Sequence, residues 1–210
     1  MLIQKRCLLL LAATIAVSTV IAQPRLKDLE ILEHIQLPPR TSSTAEQATI
    51  SVQSLAHRAP VVAQKAYRKA ARAVEEGNLA LAVEHLEAGL ASDPENAEAH
   101  SDAGVLQTML GRREEAVAHF ELVLKIDPKA SGANLLLGLS LVSLHRYTKS
   151  AEQALERVKQ GFPESRMALA DIHLHKGELG KARHEIEAYM SSGHPAYRRT
   201  AEAWLKLTTF

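Results

Sequence analysis

A period of 34 residues is the feature that most limits what this chain can fold into. Two stretches carry a glycine, an alanine and an Asp-Pro dipeptide at matching offsets: Gly77, Ala82, Asp93 and Pro94, then Gly111, Ala116, Asp127 and Pro128. A period of this length with small residues at set positions is typical of stacked helix-turn-helix units. The chain is therefore expected to be all-α and built from successive helical pairs.

The composition agrees with an all-α protein. Hydrophobic residues make up 46% of the chain, but aromatic residues only 4%, with Trp204 as the single tryptophan. The core must then be built mainly from Leu, Ala, Val and Ile, a mixture that suits close helix-on-helix packing.

The N-terminus has the layout of a secretory signal peptide. Lys5 and Arg6 precede an apolar run over residues 7–22, which ends on the small residue Ala22. The run is shorter than the roughly 20 apolar residues that cross a bilayer. We expect cleavage after about Ala22 and export to the periplasm or the medium, with no stable membrane span afterwards; an uncleaved N-terminal anchor is the alternative.

Cleavage there would change both the charge and the thiol content. It removes two basic residues and the single cysteine, Cys7, and leaves 23 basic against 24 acidic residues, a net charge of −1. No broad basic field remains to hold nucleic acid. Without cysteine, neither a disulfide nor a thiolate-bound metal can form, and no cofactor is expected.

Residues 23–60 differ in composition from the rest of the chain. Four prolines frame a polar tract at 40–44, which is typical of a linker or a partly ordered segment. Within it, Leu26, Ile31 and Ile35 belong to a possible short amphipathic helix, and Ile50 and Val52 alternate as in an edge strand.

From about residue 61 the pattern is helical to the end of the chain. The predicted pairs lie near 64–76 and 79–91, 97–110 and 113–125, 131–144 and 147–160, and 164–176 and 179–191. Pro94 and Pro128 end helices, because a proline moves the preceding residue out of the α region. Asn96 and Ser131 are then expected to cap the next helices. His145 stands where glycine makes the turn in the other pairs, so we expect a strained or differently shaped turn there.

The stretch 97–128 closely resembles a tetratricopeptide repeat. It has Ala103-Gly104 in the first helix, Gly111 at the turn, Ala116 and Phe120 in the second helix, and then Asp127-Pro128. The units lie at about 63–96, 97–130, 131–162 and 163–195; the first resembles the family nearly as well as the second, and the third and fourth resemble it less. The resemblance implies a right-handed α-solenoid over 61–210, in which small residues admit bulky neighbours. The residues that carry this signature are Gly77, Ala82, Pro94, Gly104, Gly111, Ala116, Phe120, Pro128, Gly138, Gly177 and Ala182.

The last segment, 196–210, has the pattern of a helix that covers the end of the stack. Tyr197, Ala201 and Trp204 share one face at helical spacing, and charged residues occupy the other. Repeat arrays need such a terminal cap because the last repeat would otherwise expose its apolar face.

In this family the first helices of successive repeats line a concave groove that binds peptides or helices. The resemblance places there Tyr67, Ala71, Val74, Ser101, Val105, Thr108, Met109, Leu135, Leu139, Val142, Met167 and Asp171. Exposed apolar residues in such a groove favour a protein partner. The alternative is that the groove packs against this chain's own N-terminal segment, through Leu26, Ile31 and Ile35.

Three classes of function remain open. The first is a non-catalytic scaffold that binds another protein and assists in the assembly of an envelope complex. The second is an accessory or regulatory subunit of an enzyme complex. The third, with the least support, is a histidine-dependent hydrolase, since no nucleophile elbow or phosphate-binding glycine loop occurs in the sequence.

The ten histidines do not form a recognisable metal motif. His173 and His175 are two residues apart on a predicted helix and therefore point to different faces, with His184 further along. No HExxH or CxxCH spacing is present. We expect no metal site. His85 and His119 recur at the repeat period and are expected at half-exposed positions.

Overall fold

The computed structural model describes residues 59–194 and 196–208, and these form an α-solenoid of helical pairs. The predicted signal peptide, N-terminal helix and edge strand lie outside the described residues, as does the predicted linker up to residue 58. The helices within them are α1 (Val61–Glu75), α2 (Leu79–Leu90), α3 (Ala97–Met109), α4 (Arg113–Ile126), α5 (Ser131–Ser143), α6 (Lys149–Val158), α7 (Glu164–His175), α8 (Leu179–Ser191) and α9 (Arg198–Leu207).

The helices pack in the order in which they occur. The most extensive contacts are within the pairs α1 and α2, α3 and α4, α5 and α6, and α7 and α8. Each pair also packs on the next, and the first helices touch one another, α3 against α5 and α5 against α7. α9 packs on α8 and buries Tyr197, Ala201 and Trp204, as its amphipathic pattern predicts.

The turns inside the four pairs have one backbone conformation. Gly77, Gly111 and Gly177 have φ values of 75°, 74° and 74°, and His145 has a φ of 57°. In each turn the next residue donates its N–H to a carbonyl in the last turn of the preceding helix, at 2.8 Å for Arg146 to Leu141. His145 therefore adopts a left-handed conformation that favours glycine, and the expectation of a strained turn is confirmed.

Of the two predicted N-cap residues, Asn96 caps its helix and Ser131 does not. The Asn96 side chain accepts a hydrogen bond from the Ala99 N–H at 3.0 Å and caps α3. The prediction for Ser131 is wrong, because it is the first residue of α5, and Ala130 at the cap position makes no side-chain hydrogen bond. α6 begins at Lys149, later than predicted, because Thr148 caps it.

Two glycines inside helices, Gly104 and Gly138, lie against large side chains. A Cβ on Gly104 would lie 2.7 Å from Phe120 Cε1, and one on Gly138 would lie 2.4 Å from Leu155 Cγ. Such distances are well inside van der Waals contact, so only glycine allows these helices to approach this closely. Phe120 is fully buried at this contact.

The buried apolar residues form two clusters. The smaller one joins α1, α2 and α3, and the larger one runs from α4 to α9. The boundary between the clusters falls inside the second pair, whose helices remain in contact. The buried apolar core is therefore divided between α3 and α4.

Candidate interaction groove

An open cavity of about 590 Å³ lies between α1 and α3. Its buried lining residues, which form the floor, are apolar, whereas its polar lining residues, which form the rim, are exposed or half-buried. The lining consists of Tyr67, Ala70, Ala71, Val74, Glu75, Leu86, Asn96, Glu98, Ala99, Asp102, Val105 and Leu106. Four predicted groove residues, Tyr67, Ala71, Val74 and Val105, are among them.

Tyr67 is a rigid wall of this cavity. Its hydroxyl donates a hydrogen bond to Asp93 Oδ2 at 3.0 Å, and Asn96 Nδ2 donates to the same oxygen at 2.8 Å. On its other side the ring lies against Gly89, where a Cβ would be 2.2 Å from Tyr67 Cε1. Burial, followed by the hydrogen bond to Asp93, raises the pKa of Tyr67 far above its usual range. The phenol therefore stays protonated and holds one orientation.

The N-terminal part of the predicted groove is accessible. Val74 is 44% exposed and Met109 63% exposed, while Ala71 is also exposed. Tyr67, Ser101, Val105 and Thr108 are half-buried, and the Thr108 hydroxyl donates to the Gly104 carbonyl at 2.9 Å.

The C-terminal part of the predicted groove is buried. Leu135, Leu139, Val142 and Met167 are at most 4% exposed, and Asp171 is 8% exposed. The four apolar residues belong to the larger core cluster. α5 is apolar on nearly all sides, from Ala133 to Val142, and a helix of that composition is buried throughout. The expectation of an accessible apolar surface along all four first helices is therefore wrong for α5 and α7.

The rim of the cavity is acidic. Glu75, Glu98 and Asp102 line it. Carboxylates around a concave apolar surface favour the approach of cationic groups. The sequence analysis did not identify these three residues, although the spacing of Glu98 and Asp102, four apart on α3, would have placed them on one face.

A second polar network lies at the Asp93-Pro94 turn. His100 Nε2 lies 3.0 Å from the Pro94 carbonyl oxygen and must donate to it, because a carbonyl only accepts. The neutral His100 ring then accepts at Nδ1 from His119 Nδ1, also at 3.0 Å. Burial, and secondly the neighbouring His100, lower the pKa of His119 below its usual value. His119 and His85 are both half-buried, as predicted.

His173 and His175 lie on different faces of α7, as the helical geometry predicts. His173 is 4% exposed, and its Nδ1 lies 2.8 Å from Glu178 Oε2. His175 is exposed and stacks on Tyr147, with ring centroids 4.1 Å apart. One imidazole and two carboxylates do come together, however, since ligand atoms of Glu152, His173 and Glu178 all lie within 4.8 Å of one another.

In the part of the chain that the structure describes, no helix combines the length and the apolar character needed to cross a bilayer.

Comparisons with known proteins agree with the repeat architecture. The structure of YrrB, described as a TPR protein with an unusual peptide-binding site, is similar with a TM-score of 0.60 and 22% identity, over 70% of this chain and 75% of that chain. MamA from Desulfovibrio magneticus RS-1 is similar with a TM-score of 0.57 and 20% identity, over 64% of this chain and 77% of that chain. At these identities the likeness concerns the fold alone. A comparison with curated proteins finds no match.

Two family models, both described as tetratricopeptide repeat, match residues 73–139 and 135–195. Together the matches span more than half of the chain. They overlap helices α2 to α8, which include the turns at Gly77, Gly111 and Gly177 and the close contact of Gly104 with Phe120. The chain belongs to the tetratricopeptide repeat family.

Proposed function

We propose that this protein is an exported, non-catalytic scaffold that binds a segment of another protein in the cavity between α1 and α3. The bound segment presents an apolar side chain to the floor and a lysine or arginine to the rim. The observation that carries this proposal is the open cavity with an apolar floor and three acidic residues at its edge.

The size of the cavity suits a short anchor. A volume of about 590 Å³ is within the range of pockets that hold small ligands, roughly 300–1,000 Å³. It accommodates a few side chains but not a whole domain. Contact with one large apolar anchor, flanked by charged residues that set the orientation, is a usual mode of peptide recognition.

The fixed orientation of Tyr67 supports binding. Its hydrogen bond to Asp93 and its contact with Gly89 hold the ring in place before a ligand arrives. A preorganised wall reduces the entropy that is lost on binding. The peptide-binding site named for YrrB shows that this fold supports such a function in another protein.

Selection from a displayed random peptide library tests the proposal. We expect the full chain to select peptides with a large apolar residue next to lysine or arginine. Val74→Arg should lower the affinity for the selected peptide by at least tenfold, about 1.4 kcal/mol, because it places a cation in the cavity. Leu122→Arg is the matched control, since Leu122 is a similarly exposed aliphatic residue on α4.

Two results would contradict the proposal. One is selection of peptides without basic residues, and the other is equal binding by Val74→Arg and the parent chain in fluorescence anisotropy. A chain that selects peptides only after Leu26, Ile31 and Ile35 are all replaced by serine would show that its own N-terminal segment occupies the groove.

Export and a role in envelope assembly are part of the same proposal, and they depend on the predicted signal peptide. Residues 1–22 should be missing from the protein recovered from the envelope or the medium. N-terminal sequencing of that protein checks this, with a new terminus near Gln23 as the expected result. Recovery of the intact N-terminus in a membrane fraction would indicate the uncleaved anchor instead.

A further inference from the structure

Outside the groove, three separate elements bring together a set of possible metal ligands. Glu152 lies on α6, His173 on α7, and Glu178 in the turn before α8. One ligand atom from each lies within 4.8 Å of the other two. In a tetrahedral zinc site, bond lengths of about 2.0–2.2 Å place ligand atoms about 3.4 Å apart. Small side-chain rotations would therefore bring these three atoms around one ion.

His173 is the buried member of this set. Its imidazole is 4% exposed, and its contact with Glu178 at 2.8 Å restricts rotation of the ring. A metal ion can replace the proton that a histidine and a carboxylate share. The burial of His173 distinguishes this cluster from a surface group of acidic side chains.

The cluster opens to solvent through a cavity of about 370 Å³. Glu152 and His173 line it, and so do His184 and Glu185 of α8. The cavity gives an ion a path to the buried imidazole. It also places a second, exposed imidazole, that of His184, beside the same opening.

Two lysines now neutralise the carboxylates. Lys176 Nζ lies 2.5 Å from Glu152 Oε2, and Lys181 Nζ lies 3.2 Å from Glu178 Oε2. Their side chains are 32% and 64% exposed, so each ammonium group can move into solvent at small cost. The fold can thus form without an ion, and an arriving cation competes with these two ion pairs and with the hydrogen bond between His173 and Glu178.

We propose that Glu152, His173 and Glu178 bind one divalent transition-metal ion of the zinc type, with release of Lys176 and Lys181. An imidazole with carboxylates suits zinc, copper or nickel, whereas magnesium and calcium take oxygen ligands alone. The sequence analysis expected no metal site because it considered His173 with His175. The structure instead combines His173 with carboxylates from the preceding helix and the following turn.

Isothermal titration of the full chain, without a histidine tag, tests the site with Zn²⁺ as the probe and Mg²⁺ as the comparison. We expect one Zn²⁺ per chain and no measurable Mg²⁺ binding. Glu152→Gln should weaken Zn²⁺ binding by at least about tenfold, as loss of metal-site residues commonly does. His173→Gln should do the same, whereas His175→Gln, with a change two residues away on the same helix, should leave binding unaltered.

The lysines provide a test in the opposite direction. Lys176→Gln or Lys181→Gln should tighten Zn²⁺ binding several-fold, because each removes a competing cation. Arg183→Gln is the charge-matched control, since Arg183 pairs with Glu187 instead, at 2.8 Å. Absence of Zn²⁺ binding, or binding that Glu152→Gln and both lysine variants leave unchanged, would overturn the proposal. Thermal melts of each variant show whether a loss arises from unfolding.

Discussion

The N-terminal region, α1 to α4, and the C-terminal region, α5 to α9, share a repeat but differ in what they expose. The first has glycine turns, an Asp-Pro dipeptide after each pair, and an open acidic cavity. The second has His145 at one turn, no Asp-Pro dipeptide, and first helices that are buried. The comparison shows that the repeat signature governs how helices pair, whereas the residues between signature positions decide which face stays accessible.

Both Asp-Pro turns are held by a buried polar side chain at the same position of the repeat. His100 and Asn134 are 34 residues apart, and both are buried. His100 donates to the Pro94 carbonyl, and Asn134 Nδ2 donates to the Pro128 carbonyl at 3.1 Å. A buried polar side chain thus binds each Asp-Pro turn to the helix that follows. The two residue types differ, but each donates one hydrogen bond to the proline carbonyl.

The largest expected effect comes from the aromatic position of the repeat. Phe120→Ala should lower the free energy of unfolding by about 3–5 kcal/mol, because it leaves a cavity in the larger cluster. Leu86→Ala, at the same position one repeat earlier, should cost about 2–3 kcal/mol, because Leu86 lines the open cavity and the site can relax. Urea denaturation measures both. A loss well under 1 kcal/mol for Phe120→Ala would mean that the repeat register is wrong.

Two glycines on α5 test the close packing of the C-terminal region. Gly138→Ala should destabilise by about 1–3 kcal/mol, because the new Cβ would lie 2.4 Å from Leu155 Cγ. Gly132→Ala on the same helix should be neutral or stabilising by up to about 1 kcal/mol, because nothing lies within 4 Å of its added Cβ. Equal values in urea denaturation would contradict the close contact of α5 with α6.

The glycine found at the N-terminal turns and the side chain found at the His145 turn can be exchanged between the two regions by single substitutions. His145→Gly should stabilise the protein by about 1 kcal/mol, because it relieves a left-handed backbone at φ 57°. Gly111→Ala should destabilise by about 1 kcal/mol, since it creates the same strain in the N-terminal region. Thermal unfolding of the two variants checks the opposite signs. A loss of stability in His145→Gly would show that the hydrogen bond between this ring and the Tyr147 hydroxyl outweighs the strain.

The smallest expected effect is a dependence of stability on pH that originates in the N-terminal region. The lowered pKa of His119 means that the unfolded chain takes up this proton at a higher pH than the folded chain. The free energy of unfolding is therefore not reduced by His119 above the ordinary histidine pKa of about 6.5, and it decreases as the pH falls through that value. Urea midpoints at several pH values measure the decrease.

His119→Gln should reduce this dependence, and His184→Gln, at an exposed position of α8, serves as the control. An unchanged pH dependence in His119→Gln would show that the His100 and His119 pair does not contribute.

Much of the fold could be predicted from the chain because its signals are local. Proline and glycine positions gave the bounds of α3 to within one residue, and the amphipathic pattern predicted the buried face of α9. The error at Ser131 arose because a residue that can cap a helix can equally be its first residue. The candidate site was predictable only in part. Tyr67 and Val74 follow from the resemblance, but the acidic rim depends on how α1 and α3 approach each other.

The sequence by itself determined the number, length and pairing of the helices in the described region, because proline, glycine and apolar spacing act over one or two turns of chain. Only the tertiary structure decided that the cavity opens between α1 and α3 while α7 is buried. It likewise brought Glu152 to His173 and His100 to His119. Burial and side-chain proximity depend on the summed packing of helices that are distant in sequence, and no local pattern encodes that sum.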